Sequence, residues 1–416
     1  MGLATTVMFL SYALVFGLMR GVKVRTAHAI GGGRRGDGFV LARAGVAMGF
    51  SVGVVVLALC RDLSAPLAWI GTDASVVPYA TEFLAAVTLG APATCALAAL
   101  IQHRQAIGDS RTPMVVGIAG NAFNALFAWA LIYGHLGLPA LGVRGGGYAT
   151  ATTETLELLA MGALFLRDER RARELLERVG LGGRLVDGAL PLRQAAREVA
   201  DLGLPTGLQL AVETLAFAAF TAVLAGIGKE EIASHQIALN VIRVSFLPGV
   251  AIAEAASVLV GRALGRRDLA EADAVASSAL KVAVGFMAAC GLLFALGGGV
   301  LTEDPAVGAI ARRLLFVAAV FQVLDAVNIV LRGALRGAKD VRVVAAIGIC
   351  VIWACVPTSA YFLGKVAGLG SLGGWLGFVA ETTLSAGLYW LRWSRGGWRR
   401  AYEPEVREAP AAARAA

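Results

Sequence analysis

The chain has 416 residues, of which 57% are hydrophobic and only 16% are charged. A soluble domain carries about 25% charged residues, so this composition excludes an ordinary soluble protein and indicates a polytopic membrane protein. The formal net charge of +8 does not point to nucleic acid, because no basic motif with interleaved aromatic residues is present. Basic residues between membrane spans instead mark cytoplasmic loops.

The usual signatures of metal centres and catalysis are missing from the sequence. The five cysteines and four histidines show neither a C-x-x-C motif nor the spacing of metal ligands. No nucleophile–base constellation and no phosphate-binding loop can be recognised. We therefore predict that the protein is not an enzyme, has no cofactor and has no disulfide framework.

Apolar runs of about twenty residues, the length that crosses a bilayer as a helix, occur about eleven times. They cover residues 3–19, 39–60, 79–100, 113–133, 146–166, 204–227, 233–260, 275–301, 310–331, 343–363 and 372–391. Basic residues concentrate in alternate loops, to which we assign Arg332 and Arg336, and the positive-inside rule places these loops and the C-terminus in the cytoplasm. This predicts a multi-pass protein of the plasma (inner) membrane, and we expect a monomer.

Three short motifs recur in the same order in the two halves of the chain. Ala27–Arg35 pairs with Leu259–Arg267, Ile107–Arg111 with Arg336–Asp340, and Leu141–Gly146 with Leu369–Gly374. Paired motifs on the same side of the membrane predict a parallel repeat about an axis along the membrane normal. The predicted fold is an all-α polytopic membrane protein with two six-helix-type bundles related by this pseudo-two-fold repeat.

The repeat also predicts the domain organisation. We expect an N-terminal helical bundle at residues 1–166, a cytoplasmic connector at 167–199, a C-terminal bundle at 200–393 and a cytoplasmic tail at 394–416. We expect the first bundle to be one span short at its start.

Two carboxylates, Glu213 and Asp325, lie in the middle of apolar runs. A charge at bilayer depth costs about 2.5–3.5 kcal/mol on insertion scales and survives mainly where it lines an internal cavity. Both residues are therefore candidates for binding a cation. The alternative is that each is a protonated group that hydrogen-bonds two helices together.

The chain around and beyond Glu213 carries several further motifs in a fixed order. They are Gly203-Leu204-Pro205, the segment ASHQIALN at Ala233–Asn240, Phe246–Gly249, Val260–Gly265, Leu324–Val327 and Leu331–Ala334. Their order and spacing resemble the multidrug and toxin extrusion (MATE) transporters over nearly the whole chain. The family's first helix has no counterpart here, so we expect either an upstream extension or a truncated transporter with little activity.

The resemblance implies a cation-coupled (H⁺ or Na⁺) antiporter that exports amphipathic and cationic drugs and toxins by alternating access. Its partners would be small-molecule substrates and the lipid bilayer. At the matching positions Glu213 and Asp325, the family binds its coupling cation, so any Na⁺ would be held there. Many sodium-coupled relatives carry a tyrosine one turn before this aspartate, whereas this chain has Phe321, and the lost hydroxyl favours H⁺.

The remaining candidates are polar residues that could line a cavity or support the cation site. They are Gln209, His235, Gln236, Asn240, Asn121, Asn124, Glu154 and Glu381. Asn121 and Asn124 lie one turn apart and fit interhelical hydrogen bonding better than ligation. His235 lies close to the outer turn and fits a supporting role. Glu154 and Glu381 follow the paired glycine motifs and could either line a cavity or close a helix contact.

A flippase for lipid-linked oligosaccharides, which has a similar topology, is the main alternative. Such a cavity usually needs several internal arginines to hold a pyrophosphate. Arg243 is the only basic residue well inside a predicted span, with Lys281 near the end of another. The sequence therefore favours the exporter.

Overall fold

The computed structural model describes residues 2–60, 77–178, 190–297 and 305–402. Within these ranges the chain forms eleven long helices and no strand. The helices are α1 (Gly2–Gly31), α2 (Arg35–Cys60), α3 (Val77–Ala106), α4 (Arg111–Tyr133), α5 (Val143–Arg178), α6 (Leu192–Ala225), α7 (Lys229–Gly265), α8 (Leu269–Gly297), α9 (Pro305–Gly337), α10 (Val341–Val366) and α11 (Gly370–Ser394). Short 3₁₀ turns occur at Thr88–Gly90, inside α3, and at Arg399–Ala401.

Each of the eleven helices overlaps one of the predicted apolar runs. Eight of those described, namely α2–α4 and α6–α10, are long and apolar enough to cross a membrane. The hydrocarbon layer contains no water to hydrogen-bond with the backbone, and a helix satisfies its backbone hydrogen bonds internally. The prediction of an all-α polytopic membrane protein is confirmed.

Prolines interrupt two of the helices and leave two others continuous. The 3₁₀ turn in α3 ends just before Pro92, and Pro357 precedes a π-helical turn at Ala360–Val366 that closes α10. Proline lacks an N–H and its ring displaces the preceding carbonyl, so the helix rearranges locally. The helices α6 and α7 run without a break past Pro205 and Pro248.

The chain divides into two compact units, Met1–Gly207 (unit 1) and Leu208–Ala416 (unit 2), and the division falls inside α6. The predicted boundaries at residues 166, 199 and 393 stay predictions. The helix α5 continues to Arg178 and α6 begins at Leu192. Part of the predicted connector, 179–189, and most of the predicted tail, 403–416, lie outside the described residues.

In unit 1, α1 and the first part of α6 pack backbone against backbone through glycines. A Cβ on Gly203 would lie 2.8 Å from the carbonyl carbon of Leu18, and one on Gly17 would lie 2.6 Å from the amide nitrogen of Gly207. No real side chain fits at such distances. Small residues of this kind allow helices to approach closely in membranes, where dispersion contacts rather than the hydrophobic effect hold them together.

The turn between α3 and α4 in unit 1 is fixed by charges. Arg104 is buried, and its Nη1 lies 2.5 Å from Asp168 Oδ2 on α5 and 3.3 Å from Asp109 Oδ2 in the turn. Burial opposes ionisation of Asp109, but hydrogen bonds from Thr112 and the charge of Arg104 outweigh it and hold the pKa of Asp109 below its usual value. Beside them, Arg43 of α2 pairs with Glu169 of α5.

Candidate functional site

Glu213, in the middle of α6, forms an ion pair with Arg332 near the end of α9. The Nη1 atom of Arg332 donates to both carboxylate oxygens of Glu213, at 3.0 and 3.3 Å. The side chains are 12% and 21% exposed, respectively. A largely buried ion pair of this kind is held in place because removing either partner leaves an uncompensated charge.

A second arginine of α9 extends this pair into a hydrogen-bonded chain. Gln209, one turn before Glu213 on α6, donates from Nε2 to Glu213 Oε1 at 2.7 Å and accepts from Arg336 Nη2 at 2.9 Å. Gly348 of α10 makes room for these groups, since a Cβ there would lie 2.8 Å from Glu213 Oε1.

Asp325 lies two turns before Arg332 on the same face of α9. Asp325 is only 8% exposed, and the side chain of Asn328 hydrogen-bonds to its carboxyl group. Arg332 interacts electrostatically with Glu213, Asp325 and Glu381. The α11 residue Glu381 also accepts a hydrogen bond from Ser385 Oγ at 3.0 Å.

We refer to Glu213, Asp325, Arg332, Arg336 and Glu381 as the Arg332 cluster. All five lie in unit 2, on helices α6, α9 and α11. When all three acids are ionised, they carry three negative charges, of which the two arginines offset two. Charges this well buried are screened little by water, so the excess is suited to attract one monovalent cation.

The structure brings together four of the sequence-predicted site residues, Gln209, Glu213, Asp325 and Glu381. Phe321 lies one turn before Asp325, and its ring centroid is 6.3 Å from that of Trp375. The phenyl group contributes no oxygen to the cluster.

His235 is buried in an aromatic environment in unit 2. Its Nδ1 accepts a hydrogen bond from Trp375 Nε1 at 3.2 Å, and its ring centroid is 5.1 Å from that of Phe220. This places it in the core rather than among the charges. Gln236 and Asn240 are exposed, and Asn240 Oδ1 accepts from Arg243 Nη1 at 3.2 Å.

The candidates in unit 1 form their own set of contacts. Asn124 Nδ2 donates to Thr153 Oγ1 at 3.3 Å on α5, which fits the predicted interhelical role. Asn121 donates to Gly117 O of its own helix at 2.9 Å. Glu154 accepts a short hydrogen bond from Thr94 of α3.

Sequence reasoning missed Arg332 and Arg336, which we had assigned to a cytoplasmic loop. The structure places both inside α9, which continues to Gly337. The signal was available, because Arg332 follows Asp325 by seven residues, or two helical turns, in a run without any helix-ending residue. The internal arginines are therefore more numerous than the argument against a flippase assumed.

The cluster is poorly suited to hold a tightly ligated metal ion. No group of three or more histidines, cysteines, aspartates or glutamates that could bind a metal occurs among the described residues. Hard cations such as Na⁺ need several oxygen ligands, and the guanidinium of Arg332 already occupies both oxygens of Glu213.

Comparison with known proteins gives the same picture from sequence and from fold. A sequence profile described as MatE matches residues 1–130 and 205–361. The chain is 29% identical to a protein named probable multidrug resistance protein NorM from Xanthomonas campestris pv. campestris, over 94% of this chain and 84% of that protein. It is 30% identical to multidrug resistance protein MdtK from Yersinia enterocolitica, over 91% and 84%.

Solved structures share the fold at lower sequence identity. A crystal structure of MATE in the bent conformation matches with a TM-score of 0.83 and 20% identity, over 98% of this chain and 88% of that chain. At this identity the likeness concerns the fold alone, and it agrees with the predicted two-bundle class.

Proposed function

The chain belongs to the MatE family of multidrug and toxin extrusion transporters, and from this premise we infer that it is a cation-coupled antiporter that exports amphipathic and cationic compounds. We place it in the plasma membrane, as a monomer. The observation that carries the proposal is the grouping of three acids with two arginines inside unit 2, which leaves one excess negative charge when all three acids are ionised. An intramembrane acid of this kind is a functional group by default.

The coupling cation that we propose is H⁺. Phe321 offers no hydroxyl oxygen one turn before Asp325, and the guanidinium of Arg332 lies 3.0 Å from Glu213. Both features disfavour Na⁺, which would have to find several oxygens beside a positive charge. A proton needs only one acceptor.

The driving force is sufficient for export. One H⁺ moving inward across 100 mV releases about 2.3 kcal/mol, and each pH unit adds about 1.4 kcal/mol. The potential alone therefore sustains a roughly 50-fold gradient of a neutral substrate, at 1.4 kcal/mol per tenfold. One-for-one exchange with a monovalent cationic substrate is electroneutral, so that only the pH difference would then drive it.

A flippase for lipid-linked oligosaccharides is the second candidate, and Arg332 and Arg336 are the residues that could favour it. Arg332 is engaged by Glu213, however, and Arg336 by Gln209. Neither is available to bind a pyrophosphate without first breaking these contacts. We therefore prefer the exporter.

Ethidium efflux from vesicles that contain the purified protein tests the proposal. An imposed pH gradient should drive efflux in the absence of Na⁺, and collapse of the gradient should abolish it. Efflux that requires Na⁺ and ignores the pH gradient would refute H⁺ coupling. If neither gradient drives efflux of any cationic compound, the transport function itself is wrong.

A further inference from the structure

Glu213 and Asp325 have different surroundings although both belong to the Arg332 cluster. Both oxygens of Glu213 accept hydrogen bonds from Arg332, and Oε1 accepts a further one from Gln209. Within the described part of the chain, Asp325 forms no ion pair, and its neighbour on α9 is the amide of Asn328. Arg332 thus contacts Glu213 directly, whereas it acts on Asp325 only through space.

Amide oxygens without a hydrogen-bond partner lie on either side of Asp325 along α9. The Oδ1 atom of Asn328 and the Oε1 atom of Gln322 are both buried and lack a partner among the described residues. These residues are 5% and 0% exposed, and each is three residues from Asp325, the spacing at which helical side chains are neighbours.

The orientation of the Gln322 amide follows from the hydrogen bonds of its partner, Ser245. Ser245 Oγ donates its hydrogen to Ile242 O at 2.9 Å, so it must accept from Gln322 Nε2, at 2.5 Å. The oxygen of Gln322 therefore points away from Ser245. Buried acceptors that stay unpaired are costly, and the hydroxyl of a protonated Asp325 is a donor that one of them can accept.

We propose that the two carboxylates do not act as a pair: Glu213 is the fixed counter-ion that positions Arg332, and Asp325 alone exchanges the coupling cation, supported by Asn328 and Gln322. The proposal rests on the function inferred above and divides the work within the same site. Removing Glu213 and Arg332 together takes away one negative and one positive charge. The excess of one negative charge then remains among Asp325, Glu381 and Arg336.

A double-mutant cycle tests this division of roles in vesicles. Glu213→Gln alone leaves Arg332 unpaired, and we expect it to lower pH-driven efflux by about tenfold or more. The variant Glu213→Gln/Arg332→Gln should recover to within about threefold of the wild type, because the remaining charges match those of the native cluster. Asp325→Asn should be inactive, and adding Arg332→Gln should not restore it.

An exposed ion pair provides the matched control. Arg266 and Glu271 form a pair whose side chains are 47% and 41% exposed, so Arg266→Gln/Glu271→Gln should leave efflux unchanged. The Asn328 side chain hydrogen-bonds to the carboxyl group of Asp325 and favours its ionised form. Asn328→Ala should therefore lower the proton concentration at half-maximal efflux by about tenfold and leave the maximal rate nearly constant, which a purely structural role of Asn328 would not do.

Two results would overturn the proposal. The first is a folded Glu213→Gln/Arg332→Gln protein that is as inactive as Asp325→Asn. The second is recovery of the Asp325→Asn protein by Arg332→Gln. If the neutral pair does not accumulate as folded protein, the exchanged pair Glu213→Arg/Arg332→Glu keeps the attraction and must show efflux.

A second measurement separates this proposal from the proposed function. Thermal unfolding of the same variants in detergent does not depend on transport. Substitutions at Glu213 and Arg332, which are in direct contact, should be strongly non-additive, and more so than those at Asp325 and Arg332, which interact only through space. Additive behaviour of Glu213 and Arg332 would refute the counter-ion role even if the wild type exports nothing.

Discussion

Gly348→Ala introduces one methyl group into the chain of hydrogen bonds beside the Arg332 cluster. The new Cβ would lie 2.8 Å from Glu213 Oε1 and still closer to Gln209 Nε2, so something must shift. Because Gly348 is flanked by helix backbone, we expect the Gln209 amide to move. That movement weakens its hydrogen bonds to Glu213 and Arg336, which are 2.7 and 2.9 Å long.

The magnitude follows from two opposing effects. Overpacking a well-filled site costs about 1–3 kcal/mol, while alanine is favoured over glycine in a helix by about 1 kcal/mol. A matched control removes the second effect, because a Cβ at Gly285 of α8 meets nothing within 4 Å. The difference in unfolding free energy between Gly348→Ala and Gly285→Ala should therefore be about 1–3 kcal/mol.

Circular dichroism during thermal unfolding in detergent provides the assay. For a unit of about 200 residues, 1 kcal/mol shifts the midpoint by about 2–4 °C. Gly348→Ala should melt below the wild type and Gly285→Ala at or above it. Equal midpoints for the two variants would refute the tight packing around Gly348 and with it the described arrangement of Gln209 and Glu213.

Three further predictions concern other parts of the molecule. Cysteine introduced at Gly32 should be labelled only from the cytoplasmic side and cysteine at Glu230 only from outside, in cells whose native thiols are blocked first; the reverse pattern would contradict the charge-based topology. The pKa of Asp109 is lowered in the folded protein, so its ionised form stabilises the fold above the unfolded pKa, and this contribution is lost as the pH falls through the folded pKa. The melting temperature of Asp109→Asn should therefore lie nearer to that of the wild type in acid than at neutral pH. A difference in melting temperature that does not change with pH would contradict this. Trp375→Phe removes the donor to His235 and should lower the unfolding free energy by about 1 kcal/mol or more; an unchanged midpoint would argue against that hydrogen bond.

The helices and the buried acids could be predicted from the sequence because both signals are local. An apolar run of the right length determines a span, and an acid in its middle is visible without knowledge of its neighbours. Glu213 and Asp325 were found in this way. The partner of Glu213 could not be found, because Arg332 lies 119 residues further along the chain and the pairing depends on how α6 packs against α9.

The positive-inside rule also gave a wrong prediction at the end of α9, where it assigned Arg332 and Arg336 to a loop. It treats every arginine near the end of an apolar run as a loop residue. A helix that extends past the apolar run, as α9 does to Gly337, keeps such arginines within the bundle. Similarly, His235 reads as a polar candidate in the sequence, and only the contacts with Trp375 and Phe220 show that it is a core residue.

The ion pair between Glu213 and Arg332 has a consequence for how this sequence can evolve. A single nucleotide change that neutralises either residue produces a protein with an uncompensated buried charge. This costs about 3–5 kcal/mol, a large fraction of the about 5–15 kcal/mol by which folded proteins are stable. Stepwise substitution at these two positions therefore has to pass through variants that fold poorly. We expect these two positions to change together among related sequences, so that a substitution at one is accompanied by a substitution at the other. Exposed pairs such as Arg266 and Glu271 should instead be lost and regained one residue at a time.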